Sequence, residues 1–161
     1  MKRGEKGILA LMVVIILAMM GRNLWHVEND QPDKGIPFYS TATEDLTQQA
    51  MDIYHQQECK GCHSLWTVKN MMESVPAPAL DGIGSLRDED WFFRYFSAAD
   101  PQSILPSRLK KEYRMPSYAS LPEKDRRLLA AYMASLKVKD WYLEDTRKAE
   151  YEKLTGKAYQ P

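Results

Sequence analysis

The sequence predicts an all-α protein with a single N-terminal transmembrane helix. Three observations predict it. Residues 7–20 read GILALMVVIILAMM without a charge. Three later stretches, beginning near Thr43, Asp88 and Pro122, repeat apolar residues at the three- and four-residue spacing of a helix. The stretches between are broken by proline and glycine, and no persuasive alternating pattern of a half-buried strand appears.

The N-terminal element comes first. Lys2, Arg3 and Lys6 precede the apolar run. Fourteen residues fall short of the roughly 20 that span a hydrocarbon core, but Gly21, Leu24 and Trp25 extend the run. Arg22 and Asn23 then sit near the interface, where a long side chain snorkels, and Trp25 suits the aromatic belt. A cleaved signal peptide and a retained anchor are the two readings. No small-x-small cleavage pattern follows Ala18, which favours an anchor over residues 1–25. The basic flank places the N-terminus in the cytoplasm and everything after Trp25 on the outer, periplasmic side of the cell (inner) membrane.

Residues 26–42 are polar and acidic, with Pro32, Gly35 and Pro37, and read as a linker. The domain occupies residues 43–137. Thr43 caps its first helix, Glu44 and Asp45 complement the helix dipole, and Leu46, Ala50, Ile53 and Tyr54 form the apolar face. Residues 64–87 are loop-rich, with a short possible helix at Met71 and Met72. Asp88 caps a second helix to Ala98 whose Trp91, Phe92, Tyr95 and Phe96 face a core. Pro101, Pro106 and Pro116 break residues 100–120 into loop. Pro122, suited to a first helical position, opens the last helix, which carries Leu128, Leu129, Tyr132, Met133 and Leu136 to about residue 136. Residues 138–161 are a charged tail with interspersed aromatics, in part helical.

Composition excludes several classes. Formal net charge is +0, and no basic stripe suggests a nucleic acid partner. The two cysteines cannot build a disulfide framework, and a zinc ribbon needs a second pair. So small a folded part gains from a buried prosthetic group as part of its core.

The two cysteines carry that group. Cys59-Lys60-Gly61-Cys62-His63 is C-x-x-C-H, the attachment signal for a c-type haem. Residues three apart share a helical face, so both thiols reach the two vinyl groups of one haem. His63 then projects at the iron, and Gly61 keeps the turn slim. A thioredoxin-like pair lacks its βαβ setting here. A zinc site of His55, Cys59, Cys62 and His63 crowds four ligands into nine residues, a poor fit to a tetrahedron. The sixth ligand is expected to be Met115, in a loop just before the final helix and braced by Pro116. The competing reading of Met115 is a core methionine. Met133 lies on a helix face, and Met71 and Met72 sit too near the attachment turn to reach the opposite haem face.

In combination these features resemble class I cytochrome c over about residues 43–137. The resemblance implies an all-α fold wrapping one covalent haem c, with one-electron transfer as the activity. It implies that the first and last helices cross at a small residue and aromatics, here Ala50, Tyr54 and Tyr132, with Ala50 in place of the family's usual glycine. It implies a proline carbonyl that accepts the proximal histidine N–H, with Pro78 as the match in Pro78-Ala79-Leu80-Asp81-Gly82-Ile83-Gly84 and Pro76 in reserve. A six-coordinate iron offers substrate no open position, so no catalytic residue is expected.

The anchor, acidic linker and tail also resemble the small monohaem subunits of nitric oxide reductases and of some haem-copper oxidases. A free-standing anchored carrier in a respiratory or related electron-transport chain fits equally well. The expected partners are redox proteins or membrane oxidoreductase subunits. Arg108, Lys110, Lys111 and Arg114 precede Met115 and offer either a steering patch for an acidic partner or simply a solvated basic loop. Trp141, Tyr142 and Tyr151 offer apolar surface for a permanent dock or, alternatively, for packing on their own domain. A haem sensor or peroxidase-like site with a displaceable Met115 is the remaining alternative.

Overall fold

The computed structural model describes residues 3–29, 34–66, 68, 75 and 77–160. The chain forms two compact units, Met1–Gly35 and Ile36–Pro161.

The first unit is helix α1, Arg3–Asn29, 27 residues long. It continues past the expected end at Trp25 because no proline or paired glycine interrupts it. The side chains described between Gly7 and Asn23 are all exposed, Ile8, Leu11, Val14, Ile16 and Met19 among them. Among the described residues no helix is long and apolar enough to cross a membrane. The side chains at 9, 10 and 24–29, Trp25 included, lie outside the described set.

The second unit is built on three helices: α2 (Glu44–Gln56), α3 (Glu89–Ser97) and α4 (Glu123–Ser135). Two of the expected caps are present. Thr43 Oγ1 accepts from the Leu46 N–H at 3.2 Å, and Asp88 Oδ1 accepts from the Trp91 N–H at 2.7 Å. Pro122 stands one position earlier than expected, at the cap of α4. α4 packs on both α2 and α3. Ala50, Tyr54 and Tyr132 are all buried, the last two among the most deeply buried side chains of the chain. Phe92, Tyr95 and Phe96 bury the inner face of α3. Its outer face is closed by Phe93, over which Arg126 and Arg127 stack at 5.5 and 4.1 Å.

The all-α expectation requires one correction. Phe38–Ser40 (β1) and Leu136–Val138 (β2) pair antiparallel, with Phe38 opposite Val138 and Ser40 opposite Leu136. Backbone bonds extend the ribbon at both ends, from Thr41 N–H to Ser135 O and from Lys139 N–H to Pro37 O. Part of the segment expected as linker is therefore folded against the end of α4. Strands of three residues are too short to display alternation, and a pairing this remote in sequence has no local signal.

The proline- and glycine-rich loop ends in a 3₁₀ turn, Ile83–Ser85, pressed on the C-terminal end of α4. Gly82 adopts φ 76°, the left-handed region open to glycine. At Gly84 the reason is approach: a Cβ there would collide with the Ala134 carbonyl oxygen.

After β2 the chain makes a 3₁₀ turn at Asp140–Tyr142 and enters helix α5, Leu143–Thr155, so the tail is helical over most of its length. α5 ends at Gly156 with φ 70°.

Candidate functional site

α2 stops at Gln56, and Glu58 turns the chain through a left-handed residue, φ 53°. Beyond that break the helix gives way to a 3₁₀ turn over Cys59–Gly61, closed by the N–H groups of Cys62 and His63 bonding Cys59 O at 3.2 and 3.0 Å. In a 3₁₀ turn residues i and i+3 eclipse. Cys59 and Cys62 thus sit above one another more directly than on the expected α-helical turn. Neither is in a disulfide, and both are half-buried. Burial pushes the Cys59 thiol up to about 11, opposed by a hydrogen bond from Tyr118, so it remains a thiol at neutral pH.

His63 Nδ1 lies 2.8 Å from Pro78 O. A carbonyl oxygen only accepts, so Nδ1 carries the proton. Burial pushes the imidazole pKa down, partly offset by this bond. The result is a neutral ring with its Nε2 lone pair unprotonated, as a metal ligand requires. The Leu80 N–H bonds Ser64 O at 2.9 Å and holds the Pro78 loop against the Cys59–His63 turn. Pro76, the reserve position, lies outside the described residues, as do Met71 and Met72.

Met115 is half-buried on the far loop. Its loop is pinned at two points: Gln102 Nε2 donates to Met115 O at 3.0 Å, and Ser117 Oγ donates to Ala98 O at 2.7 Å. Met133 is buried on α4, in the core as expected.

Cys59, Cys62, His63, Pro78 and Met115 all line one cavity of about 420 Å³. That is within the roughly 300–1,000 Å³ of pockets that enclose sizeable ligands. Ile83, Phe92, Phe96 and Leu129 make its walls apolar. Tyr54 also lines it, with a buried Oη that has no hydrogen-bond partner among the described residues. A soft sulfur, an unprotonated imidazole nitrogen and two stacked thiols around an apolar slot form a donor set that fits a c-type haem. Among the described residues no group of three or more His, Cys, Asp or Glu side chains is placed to hold a metal ion.

Among the cavity residues that the sequence did not single out are Arg87, Glu150 and Leu154, the last two from α5. Arg87 was legible only as a charge before a helix. Glu150 meets it from 63 residues away. Of the basic group, Arg114 lines the cavity, and Arg108, Lys110, Lys111 and Arg114 are all exposed. Tyr142 packs edge-on against Phe38 of its own domain at 5.5 Å, whereas Trp141 and Tyr151 remain exposed.

The chain is similar to cytochrome c oxidase subunit 2 of Alkalihalophilus pseudofirmus, 29% identical over 132 residues. The alignment covers 75% of this chain and spans 36% of that protein's length. No solved structure matches. The family model for cytochrome c matches residues 48–137, from α2 through the cavity to β2, and the chain therefore belongs to the cytochrome c family, a domain of haem-based electron transfer.

Proposed function

We propose that this chain carries one haem c, bound through thioether bonds to Cys59 and Cys62, with His63 Nε2 and Met115 Sδ as axial ligands. In this reading it moves single electrons as a membrane-anchored cytochrome on the extracytoplasmic side. The observation that carries the reading is the His63–Pro78 hydrogen bond. It fixes the tautomer, aims a lone pair, and does so at a cavity that Met115 and both cysteines share. When bound, the group supplies an iron that alternates between two oxidation states one electron apart. The protein's own part is to orient the imidazole through Pro78, hold the Met115 loop through Gln102, and keep the slot apolar. Methionine ligation raises the reduction potential relative to other ligand sets. Two protein ligands leave no open coordination position, which favours electron transfer over catalysis.

Support for the anchor is the charge-free run 7–20 on a continuous α1 whose described apolar side chains are exposed. A role as a cytochrome subunit of a larger membrane oxidoreductase, of the haem-copper oxidase or nitric oxide reductase type, is the second reading. The similarity to an oxidase subunit favours it.

The test is expression with a haem-attachment system, then haem staining after denaturing electrophoresis and a near-infrared spectrum. Covalent haem is expected, with a sulfur–iron band that Met115→Ala removes. Normal covalent haem in both Cys59→Ala and Cys62→Ala sinks the attachment. A high-spin wild-type spectrum favours the peroxidase-like alternative. Detergent-dependent extraction tests the anchor, and co-purification from mild detergent separates free carrier from subunit.

A further inference from the structure

α5 approaches the cavity rim through three contacts. Glu150 Oε1 and Oε2 lie 3.1 and 3.2 Å from Arg87 Nη2. Arg108 Nε donates to Lys153 O at 3.0 Å. Leu154 contributes to the cavity wall. Arg87 is fixed by its own neighbours: Nη1 donates to Leu86 O at 2.9 Å, and its guanidinium stacks over Trp91 at 5.1 Å. The Arg87 and Glu150 side chains are only 24% and 15% exposed, against 54–60% for the surface pairs Arg127–Glu123 and Arg147–Glu144. A carboxylate this sheltered, on the wall of a slot that takes a charged redox group, is screened by little water.

We infer that Glu150 is a redox-linked proton site: uptake of an electron in the cavity is accompanied by partial protonation of its carboxylate from solvent. The inference rests on the haem reading above and goes beyond it, since α5 lies outside the matched residues 48–137. One electron from a redox partner lowers the charge at the iron by one. The carboxylate then loses an attractive positive neighbour, and one Oε binds a proton more readily. No bond other than the new O–H forms. By reciprocity, protonating Glu150 raises the reduction potential.

The surroundings of Glu150 poise it for this. Burial raises its pKa above the usual carboxylate range, and Arg87 opposes that rise through its charge and hydrogen bond. Glu112 and Arg114 line the same cavity, and Arg108 reaches α5 at Lys153 O; a bound haem would add its propionates. On α5 itself Arg147 and Lys153 lie three residues either side, Arg147 paired with Glu144. Asp140 lies in the turn before the helix.

The experiment is a spectroelectrochemical titration of the holoprotein across pH, with Glu150→Gln and Arg87→Gln as variants. In the wild type the potential falls with rising pH between the pKa of Glu150 in the oxidised and in the reduced protein, and is flat on either side. A threefold or greater change in proton affinity on reduction appears as a step of about 30 mV, at ~59 mV per tenfold for one electron. Glu150→Gln removes that step and holds the higher plateau, while Arg87→Gln moves it to higher pH. Any step surviving in Glu150→Gln belongs to the propionates, and survival of the whole step overturns the inference. Amide exchange over α5 in each variant separates lost titration from an undocked helix: a step lost only because α5 leaves the rim overturns the inference too. Absence of a haem that titrates at all fails the haem reading instead.

Discussion

The turn Cys59–His63 and the helix α5 border the same cavity, but they are held there by opposite means. The turn is held locally, by closely spaced backbone contacts. A left-handed Glu58, two backbone bonds to Cys59 O and the Pro78 carbonyl fix it within twenty residues of chain. α5 is held remotely: among the described residues its ties to the cavity include the Arg87–Glu150 ion pair, the Arg108 bond to Lys153 O and Leu154 in the cavity wall. Chemistry is thus placed on the rigid element and adjustment on the weakly held one. Opening free energies differ across a fold in this way, low where few apolar contacts hold an element.

Several substitutions break or sharpen that contrast. The largest effect is expected at His63. His63→Ala removes the ring that Pro78 orients, and loss of the low-spin spectrum with poor recovery of holoprotein is expected. A normal spectrum breaks the assignment of the turn as the rigid ligand-bearing element. Next is Gly84→Ala, which sets a methyl against Ala134 O, beneath the loop that carries Pro78. Overpacking of this kind costs about 1–3 kcal/mol, read as a fall in the midpoint of urea unfolding. Thr43→Ala, at the N-cap of the helix that leads into the turn, should cost about 1 kcal/mol in the same assay. Leu154→Ala should leave that midpoint nearly unchanged while speeding amide exchange within α5. If it instead lowers the midpoint as far as Gly84→Ala does, α5 belongs to the core and the contrast collapses. Smallest is Lys110→Gln with Lys111→Gln. These exposed charges should alter only the salt dependence of electron-transfer rates with an acidic partner, seen by stopped flow.

Legibility in the sequence divides along the same line. Thr43 and Asp88 announced their caps because a capping oxygen serves an N–H three residues on, which is local. The C-x-x-C-H spacing was legible for the same reason. Pro78 was found through family resemblance, and Met115 through its loop setting. Three features escaped. Glu58 has no residue-type signature for a left-handed conformation. The β1–β2 ribbon joins residues nearly a hundred apart and shows three residues on each side. The Arg87–Glu150 pair joins two ordinary surface-type charges that only the folded chain brings under cover. Tyr142 was left between two readings, and its contact with Phe38 settles it on its own domain.

That ribbon has a consequence for architecture. By pairing Phe38–Ser40 with Leu136–Val138, it ties the entry of the chain into the cavity-bearing unit to the end of α4. The matched residues 48–137 are thus closed by a clasp of their own before α5 begins. α5 is in that sense an addition to a fold already fastened, free to vary without undoing the clasp.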